Sequence, residues 1–257
     1  MIIIRNIEQR EYSAIGRKLG NWLDKKISDA DIESGEIGYK LSKDLGVNNR
    51  KLLKESIREG RDKYNARTVS PWTAFGFSTK GNIIPNGSSN IDTESIKKNN
   101  FKTFRKSSKM KNIVENNDNI IVHETEVITD KGKKKSARAE SHAHEVGHLR
   151  NDSKGGLLIR RSRKSREKFE TPSSKDSGSG LIEGLSRTID TAAILHDEKK
   201  ASKNALRFMK EKGATKEELE KAKENLDLGL KTYKKSGTSY ILRPIRKMIK
   251  DEKDNNI

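Results

Sequence analysis

The sequence predicts an α+β fold that is mainly helical, with a small β-element placed just ahead of one polar helix. Three observations predict it. Apolar residues recur at helical spacing near both ends of the chain, at Ile15, Leu19, Trp22, Leu23 and Ile27 and again at Leu219, Ala222, Leu226, Leu230 and Tyr233. The run from Ile120 to Thr129 is rich in β-branched residues and reads as a strand. Only 31% of the 257 residues are hydrophobic and 36% are charged. That core is thin for the length, so long exposed segments are expected rather than one compact globule.

Charge narrows the partners. The chain carries 55 Lys+Arg against 37 Asp+Glu, a net +18. Such an excess favours an anionic partner, whether nucleic acid, an anionic membrane or an acidic protein. The absence of cysteine excludes a disulfide framework and a thiolate metal site, and it fits an intracellular protein. No stretch approaches the ~18 consecutive apolar residues of a membrane span. Met1-Ile2-Ile3-Ile4-Arg5, four apolar residues followed by charge, does not read as a signal peptide. The expectation is a soluble protein, cytoplasmic or carried in a phage particle, and not secreted by a signal peptide. Its richness in Lys, Asn and Ile points to an AT-rich bacterial or phage genome.

Four regions follow in order. Residues 1–65 read as a helical N-terminal region for docking or interaction. A helix is predicted from Glu8 to Ile27, then one or two short ones around Leu41, Leu45, Leu52, Leu53 and Ile57, punctuated by Gly35, Gly38, Gly46 and Gly60. Trp22 is read as a core or docking residue within the apolar stripe. Residues 66–110 read as linker and loop. Ser70-Pro71-Trp72, Lys80-Gly81-Asn82 and Pro85-Asn86-Gly87-Ser88-Ser89-Asn90 are turn material, with Trp72, Phe75 and Phe77 as docking side chains. Residues 111–240 read as the main domain, and 241–257 as a flexible tail. Within the main domain the strand at 120–129 is followed by a turn at Asp130-Lys131-Gly132-Lys133 and a helix starting near Ser136. The strand's free edge suits pairing with an extended peptide; an ordinary sheet edge is the alternative. His123 is read as a surface residue of that strand. Residues 151–180 read as a basic insertion. It includes Arg160, Arg161, Arg163, Lys164 and Arg166, candidate phosphate contacts, then a Ser- and Gly-rich linker at 171–180.

The chemistry concentrates in Ala139-Glu140-Ser141-His142-Ala143-His144-Glu145-Val146-Gly147-His148-Leu149. Three of the chain's five histidines fall within seven residues there. His144 and His148 are one helical turn apart, so both imidazoles reach one metal ion, with Glu145 beside them to activate a water. Zn²⁺ suits two neutral imidazoles and a carboxylate. His142 points to another face of the helix and is read as a non-ligand. A polar surface helix with clustered histidines is the alternative reading.

A catalytic zinc needs a third protein ligand. Glu183, Asp190 and Glu198 are the downstream candidates. Glu198 lies three and seven residues before Ala201 and Ala205, on the face that also carries Phe208 and Met209. A carboxylate on an apolar, small-residue face needs a cation, and the neighbouring lysines face outward. Glu198 is therefore favoured over Glu183. The helix is expected to stop at Gly213, and Thr215-Lys216-Glu217-Glu218 is a capping box opening the next. The two helices form a hairpin behind the metal site.

With these residues in place, the chain resembles the gluzincin metallopeptidases: His144-Glu145-Val146-Gly147-His148, then Glu198-Lys199-Lys200-Ala201. It resembles most closely the YugP-like group of neutral zinc metallopeptidases, through Ala205-Leu206, Glu217-Glu218, Ala222-Lys223, Leu226 and Thr232-Tyr233 as well. The resemblance covers about residues 119–235. It implies a zincin-like domain, zinc held by His144, His148 and Glu198, and Glu145 as general base. Tyr233 is a candidate oxyanion donor; a core tyrosine is the alternative. The expected function is a zinc-dependent endopeptidase acting on a protein or peptide substrate. The competing expectation is a basic structural or nucleic-acid-associated protein, such as a phage virion component, with a structural or vestigial zinc site.

Overall fold

The computed structural model describes residues 2–71, 89–92, 108–162 and 180–254. Trp72, Phe75, Phe77, Arg163, Lys164 and Arg166 lie outside the described residues. The elements in order are α1 (Ile2–Lys43), α2 (Arg50–Tyr64), β1 (Ala66–Val69), β2 (Ser89–Asp92), α3 (Ser108–Glu115), β3 (Asn119–Val122), β4 (Glu126–Thr129), β5 (Gly132–Lys135), α4 (Ala139–Lys154), α5 (Gly180–Glu211) and α6 (Lys216–Asp254). The chain is mostly helical with small sheets, an α+β class. No helix among the described residues is long and apolar enough to cross a membrane.

The chain divides into two compact units. The first contains Met1–Gly38, Leu157–His196 and Leu230–Ile257; the second contains Tyr39–Gly156 and Asp197–Gly229. This differs from the sequence expectation, which placed a boundary near residue 65 and a linker from 66 to 110. β1, β2 and the start of α3 fall inside that supposed linker. The expected tail also differs, because α6 continues to Asp254.

In the first unit, α6 packs on both α1 and α5. Arg246 grips Asp24 with two bonds of 2.7 Å, Arg243 reaches Asp31 at 3.0 Å, and the Ser34 and Ser236 hydroxyls meet at 2.7 Å. On the α5 side, the Arg187 guanidinium lies 4.4 Å over the Tyr240 ring and donates to the Tyr240 carbonyl at 3.0 Å. α1 runs unbroken through Gly35 and Gly38, so these glycines do not punctuate it as expected. Its buried positions include Gly20, Leu23 and Ala30. Trp22 is 51% exposed, which corrects its reading as a core residue.

The second unit is built around α4. Val47, Leu52, Leu53, Ala137, Ala139, Ala143, Ala205, Phe208, Met209 and Ala222 form one buried cluster, so α2, α4, α5 and α6 share a core. Asn49 caps α2 by accepting from the Lys51 and Leu52 amides, both at 3.0 Å. Gly46 is a true break: its φ is +66°, and a Cβ there would lie 2.5 Å from the Glu140 carboxylate. Gly213, at φ +82°, ends α5 as expected. The capping box that follows is formed, since the Glu218 amide donates to Thr215 Oγ1 at 3.2 Å and the Thr215 amide to Glu218 Oε2 at 2.9 Å.

The β-run divides. β3 is the centre of a three-stranded sheet, parallel to β1 and antiparallel to β2. Ile120, Ile121 and Val122 are each 0% exposed, which explains their continuous apolar run. After His123-Glu124-Thr125 the chain forms a separate hairpin, β4–β5, turning at Asp130-Lys131. The expected free edge is therefore not on β3, which has a neighbour on each side. α4 begins at Ala139 rather than near Ser136, because Arg138 takes the left-handed conformation at φ 44°. Its guanidinium Nη2 donates to the carbonyls of Leu41, Ser42 and Asp44 at 3.0, 3.3 and 2.8 Å. One side chain thus satisfies the open carbonyl end of α1 and fixes the start of α4.

Candidate metal centre

α4 and α5 bring the donor groups together, and a glycine lets them approach. A Cβ at Gly147 would lie 2.6 Å from the Ala201 carbonyl oxygen, so the two helices cross too closely for any larger residue. This contact sits between His144 and His148 on one helix and beside Glu198 on the other. Glu198 is 4% exposed and His148 8% exposed, while Ala201 and Ala205 are fully buried beneath them.

The ligand atoms of His144, His148 and Glu198 all lie within 4.8 Å of one another. His144 Nε2 is 2.9 Å from Glu198 Oε2 and 3.0 Å from His148 Nε2, and His148 Nε2 is 3.5 Å from Glu198 Oε1. The other ring nitrogens are occupied on the far side. His148 Nδ1 donates to Asp197 Oδ2 at 3.1 Å, and His144 Nδ1 meets the Ser202 hydroxyl at 3.2 Å. With protons on both Nδ1 atoms, two lone pairs and a carboxylate face one point. That arrangement is repulsive without a cation and fits Zn²⁺ or a similar ion. Glu145 is buried, 7% exposed, directly after His144.

Asp197, Ser202, Asn151 and Asn204 were not singled out in the sequence. Asp197 Oδ1 accepts from the Asn151 amide at 2.8 Å, and Asn151 Oδ1 accepts from the Asn204 amide at 2.9 Å. The available signal was position: Asn151 lies three residues beyond His148, and Asp197 immediately precedes Glu198.

The other candidates have different surroundings. Glu183 is held by Arg187 through Nε at 3.0 Å and also through Nη2, and Asp190 accepts from Arg161 Nε at 2.8 Å. Each alternative third ligand therefore has an arginine of its own. Arg160 is exposed, whereas Arg161 is engaged with Asp190. Tyr233 belongs to the first unit and is half-buried there.

His123 and His142 form a second pair behind α4. His142 is completely buried, with Nδ1 2.7 Å from the Ser56 hydroxyl and Nε2 2.9 Å from the Thr68 hydroxyl. Burial holds it well below the usual imidazole pKa, with His123 adding to the effect. His123 is 3% exposed, which corrects its reading as a surface residue. Its Nε2 donates to the Arg138 carbonyl at 3.2 Å, and burial lowers its pKa to about 4.

Comparison with known proteins gives no match to this chain among family models, curated proteins or solved structures.

Proposed function

We propose that the chain is a zinc-dependent endopeptidase. The observation that carries the reading is the convergence of His144 Nε2, His148 Nε2 and the Glu198 carboxylate on one point. His144, His148 and Glu198 would hold the ion, leaving a position for water. Bound there, Zn²⁺ supplies Lewis acidity and lowers the pKa of a water towards ~7. Asp197 and Ser202 orient the two imidazoles from behind. Glu145 accepts the proton of the attacking water and returns it to the departing amine.

The test is cleavage of an unfolded protein by the purified full-length chain, with and without a chelator. Glu145→Gln should keep the metal and lose cleavage by about 10²-fold or more. Undiminished cleavage in that variant, or in the chelated protein, contradicts the reading.

A second reading rests on the net +18: a basic structural or nucleic-acid-associated protein, carried for example in a phage particle, whose metal site is structural. It requires DNA affinity that falls steeply with salt as phosphate contacts release counterions. Weak, salt-insensitive DNA binding removes it.

A further inference from the structure

Positive charge is not spread evenly over the second unit. Residues 199–212, the second half of α5 and the residue after it, hold six cations, Lys199, Lys200, Lys203, Arg207, Lys210 and Lys212, against the single acid Glu211. The opening of α6 in the same unit, residues 216–229, holds three lysines against five acids. Both helices give apolar residues to one core, Ala205, Phe208 and Met209 from α5 and Ala222 from α6. The excess of cations lies on the outer side of α5.

Lys199, Lys203, Arg207 and Lys210 follow at i, i+4, i+8 and i+11, and all four are exposed. They form one stripe, opposite the buried Ala201 and Ala205, about 16 Å long at 1.5 Å per residue. Arg207 lies 3.7 Å from Glu211, and Lys212 lies 3.4 Å from Glu55. Lys199, Lys203 and Lys210 have no salt-bridge partner among the described residues. Like charges four residues apart weaken a helix. The steps from Lys199 to Lys203 and from Lys203 to Arg207 repeat that arrangement, so a line of anions beside α5 would relieve a standing repulsion. α2 differs: its Arg58, Arg61 and Lys63 lie 2.8, 2.7 and 2.9 Å from Glu55, Asp62 and Glu59 on the same helix.

We propose that the outer stripe of α5 is a docking surface for the phosphate backbone of duplex DNA, bound without regard to sequence. The inference rests on the nucleic-acid reading above, gives it a place, and holds whether the metal centre is catalytic or structural. The stripe's length matches about five phosphates of one strand at about 3.4 Å each. Three of its four cations are lysines, point charges without the forked geometry that reads base edges. Among the described residues, no large apolar side chain is exposed between 197 and 212. The stripe therefore lacks the aromatic platforms on which single-stranded bases stack and the apolar anchors of a protein interface. It also lacks the apolar face that an interfacial helix sinks into a membrane, because that face of α5 is in the core.

The test is binding of the full-length chain to a short labelled DNA duplex of mixed sequence, across a salt series. Lys199→Gln, Lys203→Gln and Lys210→Gln together should weaken binding about 10-fold or more and make the slope of log affinity against log salt shallower by about 2–3. The same charge removed from the β4–β5 hairpin, by Lys131→Gln, Lys134→Gln and Lys135→Gln, should change affinity by less than about 3-fold. Lys203→Glu separates binding from folding. It turns two repulsions into attractions, so the melting temperature should rise by about 1–2 °C while DNA affinity falls. A folded α5 variant with wild-type affinity and slope overturns the proposal and leaves the DNA contact to another basic segment, such as the one around Arg160. An equal loss in the hairpin variant overturns it too, because net charge alone then sets the affinity. A wild type that binds no duplex at low salt removes the nucleic-acid reading itself. One that binds phosphatidylserine vesicles through these lysines, and no duplex, assigns the stripe to a membrane surface and overturns the proposal.

Discussion

Two histidine pairs lie in the same unit and look alike in outline. His123 and His142 stand edge to face with ring centroids 5.1 Å apart; His144 and His148 do so at 4.6 Å. The difference is where the nitrogens go. His142 gives both to the Ser56 and Thr68 hydroxyls, and His123 gives Nε2 to a backbone carbonyl. In the other pair both Nε2 atoms turn towards each other and a carboxylate. A histidine cluster is thus not a metal site in itself. A metal site also needs second partners that hold the rings so that lone pairs converge. The carboxylates of α5 repeat the contrast: Glu183 and Asp190 are matched by arginines, whereas Asp197 and Glu198 face imidazoles.

Replacing one pair's residues should break the contrast most sharply. His144→Gln should weaken Zn²⁺ binding by more than the ~10–100-fold that loss of an outer partner costs. His142→Gln should leave zinc stoichiometry unchanged and lower the melting temperature. Calorimetric metal titration and thermal melts on the two variants check both statements.

Acid should strike the buried pair next. His123 is held near pKa 4 in the fold and returns to about 6.5 when unfolded. Between those values the unfolded chain binds a proton that the folded chain refuses, so stability is full above about pH 6.5 and is lost as pH falls towards 4. The effect amounts to about 3 kcal/mol for His123 alone. His142 acts in the same direction. Urea unfolding of the metal-free protein across this window measures it, and a flat profile contradicts the neutral, buried assignment.

Gly147→Ala probes the crossing that brings the converging pair to Glu198. A methyl group 2.6 Å from a backbone oxygen forces the helices apart. The expected loss is about 1–3 kcal/mol of stability, together with weaker zinc binding. Glu183→Gln takes the carboxylate from an Arg187 that is only 5% exposed, so it should cost about 1–3 kcal/mol of stability with no change in zinc content.

Much of this donor cluster was legible in the sequence, because its residues sit at spacings fixed by helical geometry. His144 and His148 are one turn apart, and Glu198 shares a face with Ala201 and Ala205, so local periodicity alone predicts which side they present. What stayed hidden depends on contacts between distant elements. Nothing near His142 in sequence announces Ser56 or Thr68. Nothing near Asn151 announces Asp197 or Asn204, which come from another helix. The β-run was misread as one strand because burial of β3 on both faces and the exposed β4–β5 hairpin use similar β-branched residues. The glycines of α1 were misread because a glycine's cost within a long helix is small, about 1 kcal/mol, beside the packing along its length. Gly46 and Gly147 matter instead through what approaches them, which the chain does not spell out locally.

The most direct test is zinc content by elemental mass spectrometry after exhaustive dialysis, for the wild type beside Glu198→Ala, Glu183→Gln and Asp190→Asn. The account predicts about one zinc per chain in the wild type and in the Glu183 and Asp190 variants, and loss of zinc with Glu198→Ala. Zinc retained in Glu198→Ala and lost in either of the others would contradict it, as would a wild-type protein that takes up no zinc when the ion is added back.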